Sequence, residues 1–533
     1  MYAVRLIKPD YYVDENKTIR IKGYIDEQDN YYKEVKELLD TITRDTKIYC
    51  YMYQLIVAEV ERYANESDFR IPAINGLTYY TGSNRKANLL STVHCLTNRS
   101  EYATPTTVNA KMFYNGYEIR FLDVMKWMDR INQFTITPEE QHTLYNTLMA
   151  IETIIIDKEY LPVYEKKHWG RCPVSLASLS RKVLNPPTML KNKERDSFLL
   201  RIKGAYNSGY NYIANTKTYD HLYYYDVKSM YPFVLLNRTY PHPASVPIHA
   251  NGFVEKPLAI YHIAYIRAKV KPQHFPTIFC QKEQQSRMGI SNNTDIDWLR
   301  DNDLEGWITS VDYRMLLRDY DIEDLEIDET YFYTRVSAGS YLFGTKMKEY
   351  FNKKEASTSP LERQAYKLVL NTFSGSLGMI LRNKYRVDNL TTPNLVVPLD
   401  RKSDGLNPWD LAAFMTAYAR EYITSIALQA GFNNVKCIST DAVVVRKPEP
   451  ILSLVGNELG DLSLEKEMWN VHWWRPNAYE WQDAEGNWHG KANGLPSYKY
   501  EHGKLTYAIP KILYDPFEHC YKREIQKYNI TEE

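Results

Sequence analysis

Paired cysteines, long apolar runs and a net charge are all missing from this sequence. Its six cysteines are widely separated and include no Cys-x-x-Cys pair, so neither a zinc site nor a disulfide framework is indicated. No stretch approaches the roughly 18 apolar residues of a membrane span, and the N-terminus lacks the apolar core of a signal peptide. We therefore expect a cytoplasmic protein in a reducing compartment, with no membrane association.

The balanced charge leaves nucleic acid open as a partner. The 66 basic and 66 acidic residues cancel formally, but a neutral total can hide a basic channel beside acidic surfaces. The 46 tyrosines supply many amphipathic rings that can stack on bases or fill a core. A chain of 533 residues is too long for a single core, so about two to four domains are expected.

Hydrophobic patterning predicts several elements along the chain. Residues 48–53 and 117–122 are expected to form strands, and residues 137–156 a helix with Leu144, Leu148, Ile151 and Ile155 on one face. The polar stretch from Arg181 to Arg201 suggests a boundary or linker, and residues 241–345 are expected to alternate short strands with short helices. A helix is predicted from Asp410 to Ala430, ended by Gly431.

The stretch from Leu222 to Pro232 contains the first candidate for chemistry. Its apolar, aromatic run predicts a strand that ends at Asp226, because aromatic residues suit a half-buried pleated surface. A tight Ser-Met-Tyr-Pro turn is expected next, since Pro232 cannot continue a strand ladder. A carboxylate at the end of a buried strand suits a metal ion and a phosphate. The alternative is an edge strand with a solvated aspartate.

A helix is predicted from Leu361 to Phe373. A polar stripe recurs there at intervals of four, four and three residues and shares one helical face; its members are Arg363, Lys367, Asn371 and Ser374. The residues expected to pack inward are Tyr366, Leu370 and Phe373. Aligned cations and an amide suit a polyphosphate and a base edge, although a solvated face would show the same pattern. The nearby Gly375 allows a ligand to approach the backbone closely.

Asp441 is the second candidate carboxylate. The segment from Val435 to Val445 is apolar on both sides of Ser439-Thr440-Asp441, which predicts two strands that meet at a tight turn. A turn aspartate often only caps its own backbone. Together with Asp226 it could instead form a cradle for two Mg²⁺ ions, which would activate a 3′-hydroxyl and stabilise a pyrophosphate leaving group.

Three motifs in this order resemble those of family B DNA polymerases. The segment Asp226 to Pro232 resembles motif A, Lys367 to Gly375 resembles motif B, and Ser439-Thr440-Asp441 resembles motif C, Asp-Thr-Asp. The spacing is similar to that of the protein-primed branch, the polymerases of small phages and plasmids with linear DNA. That branch carries insertions where this chain has residues 241–345 and 381–405. The resemblance covers roughly residues 200–480.

The resemblance implies a role for each matching residue. Asp226 and Asp441 would be catalytic and would hold two Mg²⁺ ions, or Mn²⁺, with the backbone carbonyl of Val227 as a further ligand. Tyr231 would lie under the incoming sugar and exclude a 2′-hydroxyl. The residues implied in nucleotide binding are Tyr231, Arg363, Lys367, Asn371 and Gly375. Those implied in contacting DNA are Tyr206, Ser208, Gly209, Lys353, Lys354, Arg475 and Tyr479.

Some positions depart from the family's pattern. Ser439 stands where motif C has its first, less essential Asp, and Ser374 replaces a Tyr of motif B. Ser208 replaces one Gly of a Tyr-x-Gly-Gly linker. Asn477 stands in place of the Lys of a Lys-x-Tyr motif, whose charge Arg475 could replace. These departures put catalytic efficiency and nucleotide selection in question.

The N-terminal region resembles the family's 3′–5′ exonuclease without its carboxylates. Tyr51 and Tyr53 stand in the acidic places of the Asp-x-Glu strand, and Arg99 stands for an Asp of the second motif. Tyr145 would open a Tyr-x-x-x-Asp motif, but Met149 replaces its Asp. Without carboxylates, nothing offsets the charge of two metal ions. We therefore expect an exonuclease-like fold without proofreading.

The expected fold is a multidomain α/β protein, a right-hand polymerase with palm, fingers and thumb and an N-terminal RNase H-like exonuclease-type domain. Its expected domains are an exonuclease-like domain at 1–190, a palm at 191–240 and 406–475, a terminal-protein- or DNA-contacting insertion at 241–345, fingers at 346–380, a hairpin insertion at 381–405 and a thumb at 476–533.

The resemblance implies DNA-templated DNA synthesis by a monomer, in the host cytoplasm if a phage encodes it. The expected partners are primer-template DNA, deoxynucleoside triphosphates and a terminal protein whose hydroxyl accepts the first nucleotide. Two alternatives stay open: a catalytically weakened, DNA-binding replication subunit, and a family B polymerase primed by nucleic acid. Primer extension tests the first alternative, and a covalent nucleotide–protein product tests the second.

Overall fold

The computed structural model describes residues 3–51, 56, 109–115, 117–124, 138–160, 176–184, 193–207, 209–253, 261–274, 276–278, 302–378, 385–387, 396–398, 408–475, 478–492, 498–515 and 520–529. The chain divides into two compact units. The first comprises Met1–Leu179, Arg382–Lys402 and Tyr507–Tyr528, and the second comprises Ser180–Leu381, Ser403–Thr506 and Asn529–Glu533.

The strands, in chain order, are β1 (Ala3–Val13), β2 (Ile19–Asp26), β3 (Tyr31–Tyr32), β4 (Thr46–Cys50), β5 (Asn109–Tyr114), β6 (Tyr117–Asp123), β7 (Asn211–Ile213), β8 (Tyr219–Val227), β9 (Thr239–Pro241), β10 (Ile248–Asn251), β11 (His262–Pro272), β12 (Asn302–Thr309), β13 (Tyr320–Phe332), β14 (Val336–Ala338), β15 (Tyr385–Val387), β16 (Val396–Pro398), β17 (Val435–Ser439), β18 (Ala442–Val445), β19 (Leu462–Arg475), β20 (Ala478–Gln482), β21 (Trp488–Ala492), β22 (Tyr498–Glu501), β23 (Lys504–Asp515) and β24 (Cys520–Asn529). The α-helices are α1 (Val35–Asp40), α2 (Pro138–Ala150), α3 (Leu176–Leu184), α4 (Lys193–Arg201), α5 (Met230–Asn237), α6 (Ser310–Asp319), α7 (Gly339–Ala356), α8 (Pro360–Leu377) and α9 (Trp409–Ala430).

The first unit is built on a six-stranded sheet in the order β3-β2-β1-β4-β6-β5. Strand β4 pairs in parallel with β1 and β6, and the outer pairs are antiparallel. Ile48 and Cys50 of β4 lie in a core with Leu38 and Leu39 of α1. The two predicted strands of this region are therefore confirmed as β4 and β6, although β4 ends at Cys50 and residues 52–53 lie outside the described ranges.

The helix predicted between residues 137 and 156 is also present. Helix α2 continues directly into a π-helical segment, Ile151–Tyr160. The apolar residues placed on its inner face are all buried; they are Leu144, Leu148, Ile151 and Ile155. A period close to 3.6 residues was enough to identify this inner face.

The polar stretch from Arg181 to Arg201, predicted as a domain boundary or linker, begins where the first unit gives way to the second, between Leu179 and Ser180. It is largely helical, since it contains the end of α3 and all of α4, while residues 185–192 lie outside the described ranges. Its charged residues are not all exposed. Arg195 of α4 is fully buried and forms a 2.8 Å ion pair with Asp410 of α9.

The second unit contains the central sheet of seven strands, in the order β21-β20-β19-β8-β18-β17-β7. Strand β8 lies in the middle and pairs antiparallel with both β18 and β19. One face of this sheet buries a core that includes Leu222, Tyr224, Val444 and Trp473. Helix α9 is buried along most of its length and ends, as predicted, at Gly431, whose φ of 91° suits glycine.

Residues 241–345 were expected to alternate short strands with short helices, and the strands proved longer. They form an antiparallel sheet in the order β10-β13-β11-β12, in which β13 is 13 residues long. Helix α6 packs on this sheet through Met315 and Leu316.

Strands β15 and β16 form the antiparallel pair predicted for the 381–405 segment. In the part of the chain that is described, no helix is long and apolar enough to cross a membrane.

Candidate active site

Asp226 lies at the end of the central strand β8, as predicted. It pairs with Ala442 on β18 and with Ser463 on β19, so strands flank it on both sides. The expected Ser-Met-Tyr-Pro turn is instead the start of α5, whose N-cap is Ser229 in the left-handed conformation with φ 51°. Pro232 is tolerated in the first turn of this helix, because the amide it lacks has no intrahelical partner there. The sharp reversal carries Tyr231 back towards the carboxylate.

Asp441 lies in the loop of a tight hairpin, also as predicted. Ser439 pairs with Ala442, so Thr440 and Asp441 form a two-residue loop between β17 and β18. Thr440 has a φ of 58°, which is unfavourable for a β-branched residue, and its amide donates to the carbonyl of Tyr210 at 2.6 Å. The Asp441 carbonyl accepts a 2.8 Å hydrogen bond from the amide of Val227. This bond fixes the hairpin against the end of β8.

The two carboxylates share a site that favours a cation. Burial, together with the negative charges of Asp441 and Glu465, raises the pKa of Asp226 to about 8. Burial likewise raises the pKa of Asp441. Lys367 and Lys491 oppose these shifts without cancelling them. A hard divalent cation with oxygen ligands would relieve the repulsion, so the donor set fits Mg²⁺ or Mn²⁺.

The polar stripe of α8 is exposed on one face of the helix. The members that share this face are Arg363, Lys367, Asn371 and Gly375, and the buried residues include Tyr366, Leu370 and Phe373. Ser374, which the spacing placed on the same face, is instead buried, and its hydroxyl donates to the carbonyl of Leu370 at 3.3 Å. The difference arises because a spacing of three advances about 60° less than a full turn, enough to turn Ser374 inward.

Lys354 connects the helix pair α7–α8 to the start of α5. It is buried, and its ammonium donates to the Ser229 hydroxyl at 2.8 Å. Glu355 pairs with Lys354 at 2.8 Å through one oxygen and with Arg363 at 3.1 Å through the other. Lys353 instead pairs with Glu349, one turn earlier on α7. The carboxylate of Glu355 therefore joins two of the predicted phosphate-binding cations.

The linker residues Tyr206 and Gly209 support the site. A Cβ at position 209 would lie 2.7 Å from the Thr440 methyl and 3.1 Å from the Tyr231 hydroxyl, so only glycine fits there. The Tyr206 ring packs on Gly378 just beyond α8, which also leaves no room for a side chain. Burial and the nearby Asp441 raise the pKa of Tyr231, which keeps its phenol neutral. Ser208 lies outside the described residues.

The remaining predicted DNA contact, Tyr479, is buried on the same face as Asp226. Its hydroxyl is hydrogen-bonded to Tyr224 and accepts from Lys466 at 3.3 Å. Arg475 ends β19 opposite Ala478, but its side chain and Asn477 lie outside the described part. Sequence analysis missed Glu465, Lys466 and Lys491, which reach the site only through the pairing of β19, β20 and β21. No spacing pattern in the sequence marks them.

In the first unit, strand β4 ends just before Tyr51 and Tyr53, the two places where the family's Asp-x-Glu would stand. Lys47 forms a 2.9 Å ion pair with Glu152, and the Tyr49 hydroxyl donates to the same buried carboxylate. Tyr51 is buried, which raises its pKa, and Tyr145 is half-buried near Asp26. Tyr53 and Arg99 lie outside the described residues.

The sheet, the carboxylate pair and the cationic helix are assembled from the three segments whose order resembles that of family B polymerases. A family model for DNA polymerase type B, organellar and viral, matches residues 2–437. The chain therefore belongs to the organellar and viral type B DNA polymerases.

The individual relatives share only a low sequence identity with this chain. The chain is 25% identical over 265 residues to the DNA polymerase of Streptococcus phage Cp-1, a match that covers 48% of this chain and 45% of that protein. It thus spans about half the length of that relative.

Among solved structures, the chain is similar to phi29 DNA polymerase with primer-template DNA, at a TM-score of 0.67 and 16% identity. The match covers 99% of this chain and 100% of the other. A phi29 complex with primer-template DNA and incoming nucleotides gives 0.63, with full coverage of both chains. The predicted right-hand fold with an exonuclease-type domain is confirmed.

Proposed function

We propose that this protein is a DNA-templated DNA polymerase. The primer's 3′-hydroxyl would lose its proton and attack the α-phosphorus of a bound deoxynucleoside triphosphate, with pyrophosphate as the leaving group. The observation that carries this proposal is the placement of Asp226 and Asp441 at adjoining strand ends, joined by the hydrogen bond from the Val227 amide to the Asp441 carbonyl. Two half-buried carboxylates with raised pKa values would be a site for cations rather than a hydrogen-bonded pair in a core.

Two Mg²⁺ ions held by Asp226, Asp441 and the Val227 carbonyl would lower the pKa of the attacking hydroxyl and neutralise the leaving pyrophosphate. The chain's own residues would do the positioning. Lys367 on the exposed face of α8 would hold the triphosphate, with Arg363 one turn earlier. Tyr231, whose hydroxyl lies beside Gly209 and Thr440, would lie under the sugar and exclude a 2′-hydroxyl.

Primer extension with Mg²⁺ tests this proposal. Wild-type protein should extend a primer opposite a template, and Asp441→Asn should lower the rate by on the order of 10³-fold or more, because one metal-binding charge is lost. Asp220→Asn is the matched control, since Asp220 is an exposed carboxylate on the same strand as Asp226. Equal activity in Asp441→Asn and wild type would exclude this site.

Synthesis would begin on a terminal protein, whose side-chain hydroxyl attacks the first nucleotide. Support comes from the two long segments inserted between the catalytic motifs, one of which is the β10–β13 sheet. Incubation with labelled deoxynucleotides and candidate partner proteins should yield a partner protein that keeps its label after denaturation, because the nucleotide is bound covalently. A protein that extends oligonucleotides but labels no partner would instead be primed by nucleic acid.

A catalytically weakened, DNA-binding replication subunit is the second candidate. Ser439, in place of a carboxylate, is the observation that favours it, because one negative charge is missing beside Asp441. DNA binding without any extension, in Mg²⁺ or Mn²⁺, would support this alternative.

Proofreading would be absent from the exonuclease-type domain. The residues in the acidic places of the exonuclease motifs support this, because Tyr51, Tyr53 and Arg99 offer no carboxylate to a divalent metal. A mismatched primer end should remain uncut by the purified protein in Mg²⁺ and in Mn²⁺, whereas excision that depends on metal would overturn this part of the proposal.

A further inference from the structure

Lys466 is held in an aromatic cage on the face of the central sheet that carries Asp226. Its Nζ lies 4.9 Å from the ring centroid of Tyr224, 5.2 Å from that of Tyr479 and 3.6 Å from that of Trp481. Tyr224 precedes Asp226 by two residues on β8, so their side chains share a face and lie about 7 Å apart along the strand. The electron-rich ring faces stabilise a cation at this point.

A bulge in β19 turns Lys466 onto this face. Leu464 pairs with Tyr225 and Lys466 pairs with Tyr224, which leaves Glu465 as an extra residue between them. In a regular strand, residues 464 and 466 would point to the same side. Leu464 is exposed, whereas Lys466 points to the side of Tyr224 and Asp226. The irregularity therefore brings a lysine towards the carboxylates.

Within the described ranges, no carboxylate approaches this lysine closely enough for a salt bridge. Among the residues that the structure describes, Lys466 forms no ion pair, and its hydrogen bond is to the neutral hydroxyl of Tyr479 at 3.3 Å. Burial lowers the pKa of Lys466 to about 7, with a smaller contribution from Lys491, while Glu465 and Cys437 act in the opposite direction. The side chain is half-buried, so the amine can still reach a ligand. Its two remaining hydrogen-bond donors are available for an anion.

We propose that Lys466 binds a backbone phosphate of the nucleic-acid strand whose 3′-end lies at Asp226 and Asp441. This inference rests on the proposed polymerase function. We favour this primer strand over the triphosphate as the ligand of Lys466, because Arg363 and Lys367 on α8 already offer cations to the triphosphate. Lys466 lies on β19 instead, opposite Tyr224, which is two residues before Asp226 on β8. The rings already hold the ammonium in place, so it loses little conformational freedom when a phosphate binds.

The test is equilibrium binding of fluorescent primer-template DNA without metal, which requires no catalysis. Lys466→Met keeps an unbranched apolar side chain in the cage, and Lys466→Arg keeps the charge. Lys466→Met should weaken binding about tenfold and lower the slope of log affinity against log salt by about one unit. Lys466→Arg should restore most of both. Lys447→Met, at an exposed lysine beyond the far end of β18, is the control and should change neither.

The outcomes separate this inference from the polymerase proposal. Unchanged affinity and salt slope in Lys466→Met would overturn the role of Lys466, even if the protein extends primers. An equal loss in Lys466→Arg and Lys466→Met, with a lower melting temperature in both, would also overturn it, because that pattern reports damage to the cage. A weaker primer-template affinity with an unchanged KM for the nucleotide would support it, and a raised nucleotide KM alone would assign Lys466 to the triphosphate instead.

Discussion

The amide of Val227 donates a 2.8 Å hydrogen bond to the carbonyl of Asp441. This bond joins the end of β8 to the hairpin loop and continues the ladder that pairs Asp226 with Ala442. Both carboxylates are thereby positioned by backbone contacts, before any metal or nucleotide binds. A site positioned in this way keeps two like charges close together, at a cost in stability that a cation would relieve.

Asp226→Asn should stabilise the metal-free protein, and increasingly so as the pH rises. The pKa of Asp226 is raised from 3.8 to about 8 on folding, so between these values the folded state binds more protons than the unfolded chain. The contribution of Asp226 to the free energy of unfolding therefore falls from pH 4 to pH 8. In EDTA, the melting temperature of the variant should exceed that of wild type more at pH 8 than at pH 5. Asp220→Asn should show no such trend, and Mg²⁺ should raise the melting temperature of wild type at pH 8.

Gly209→Ala should slow nucleotide addition. The added methyl group would lie 2.7 Å from the Thr440 methyl and 3.1 Å from the Tyr231 hydroxyl, so it must displace the hairpin or the tyrosine. We expect a loss of about 1–3 kcal/mol in stability and a lower kcat in primer extension. Gly344→Ala on α7 is the control, since its Cβ would meet only Ser340 at 3.8 Å. Similar kcat values for the two variants would contradict the prediction.

Glu355→Gln should lower the KM for the incoming nucleotide several-fold. Burial alone would raise the pKa of Glu355, but Lys354 and Arg363 hold it below its usual value, which shows that it remains a carboxylate between them. Loss of this charge frees the exposed Arg363, the partner predicted to bind the nucleotide, for the triphosphate. Steady-state kinetics with varied nucleotide measures the change, and Glu349→Gln, which loses pairs to Lys346 and Lys353 on the same helix, is the matched control. An unchanged or higher KM in Glu355→Gln would show that the bridge serves only to hold the helices.

Tyr231→Val should admit ribonucleotides. A smaller side chain opens space where the 2′-hydroxyl would lie, so the steric part of the discrimination is lost. We expect the ratio of kcat/KM for deoxynucleotides over ribonucleotides to fall towards unity. Single-nucleotide insertion with matched dNTP and rNTP measures this ratio. A ratio as high as that of wild type would exclude Tyr231 as the sugar-selecting residue.

Local periodicity was sufficient to predict several elements of the site. Three features follow from residues that are close together in the sequence. They are the exposed and buried faces of α8, the C-terminal end of α9 at Gly431 and the hairpin at Thr440. Ser374 was misplaced because spacing alone does not determine which way a residue at the edge of a stripe turns. The burial of Arg195 was not predicted for a related reason: its partner, Asp410, is far away in the sequence.

The sequence by itself determined the chemistry that this protein offers: two carboxylates, an aligned set of cations and a tyrosine after a strand end, in the order of a type B polymerase. Tertiary structure alone decided which charges meet at the carboxylates. The bulge at Glu465 turns Lys466 inward, Glu355 bridges Lys354 and Arg363, and Lys491 arrives through the β20–β21 pairing. Register between distant strands depends on the packing of whole sheet faces, and no local pattern of residues encodes it.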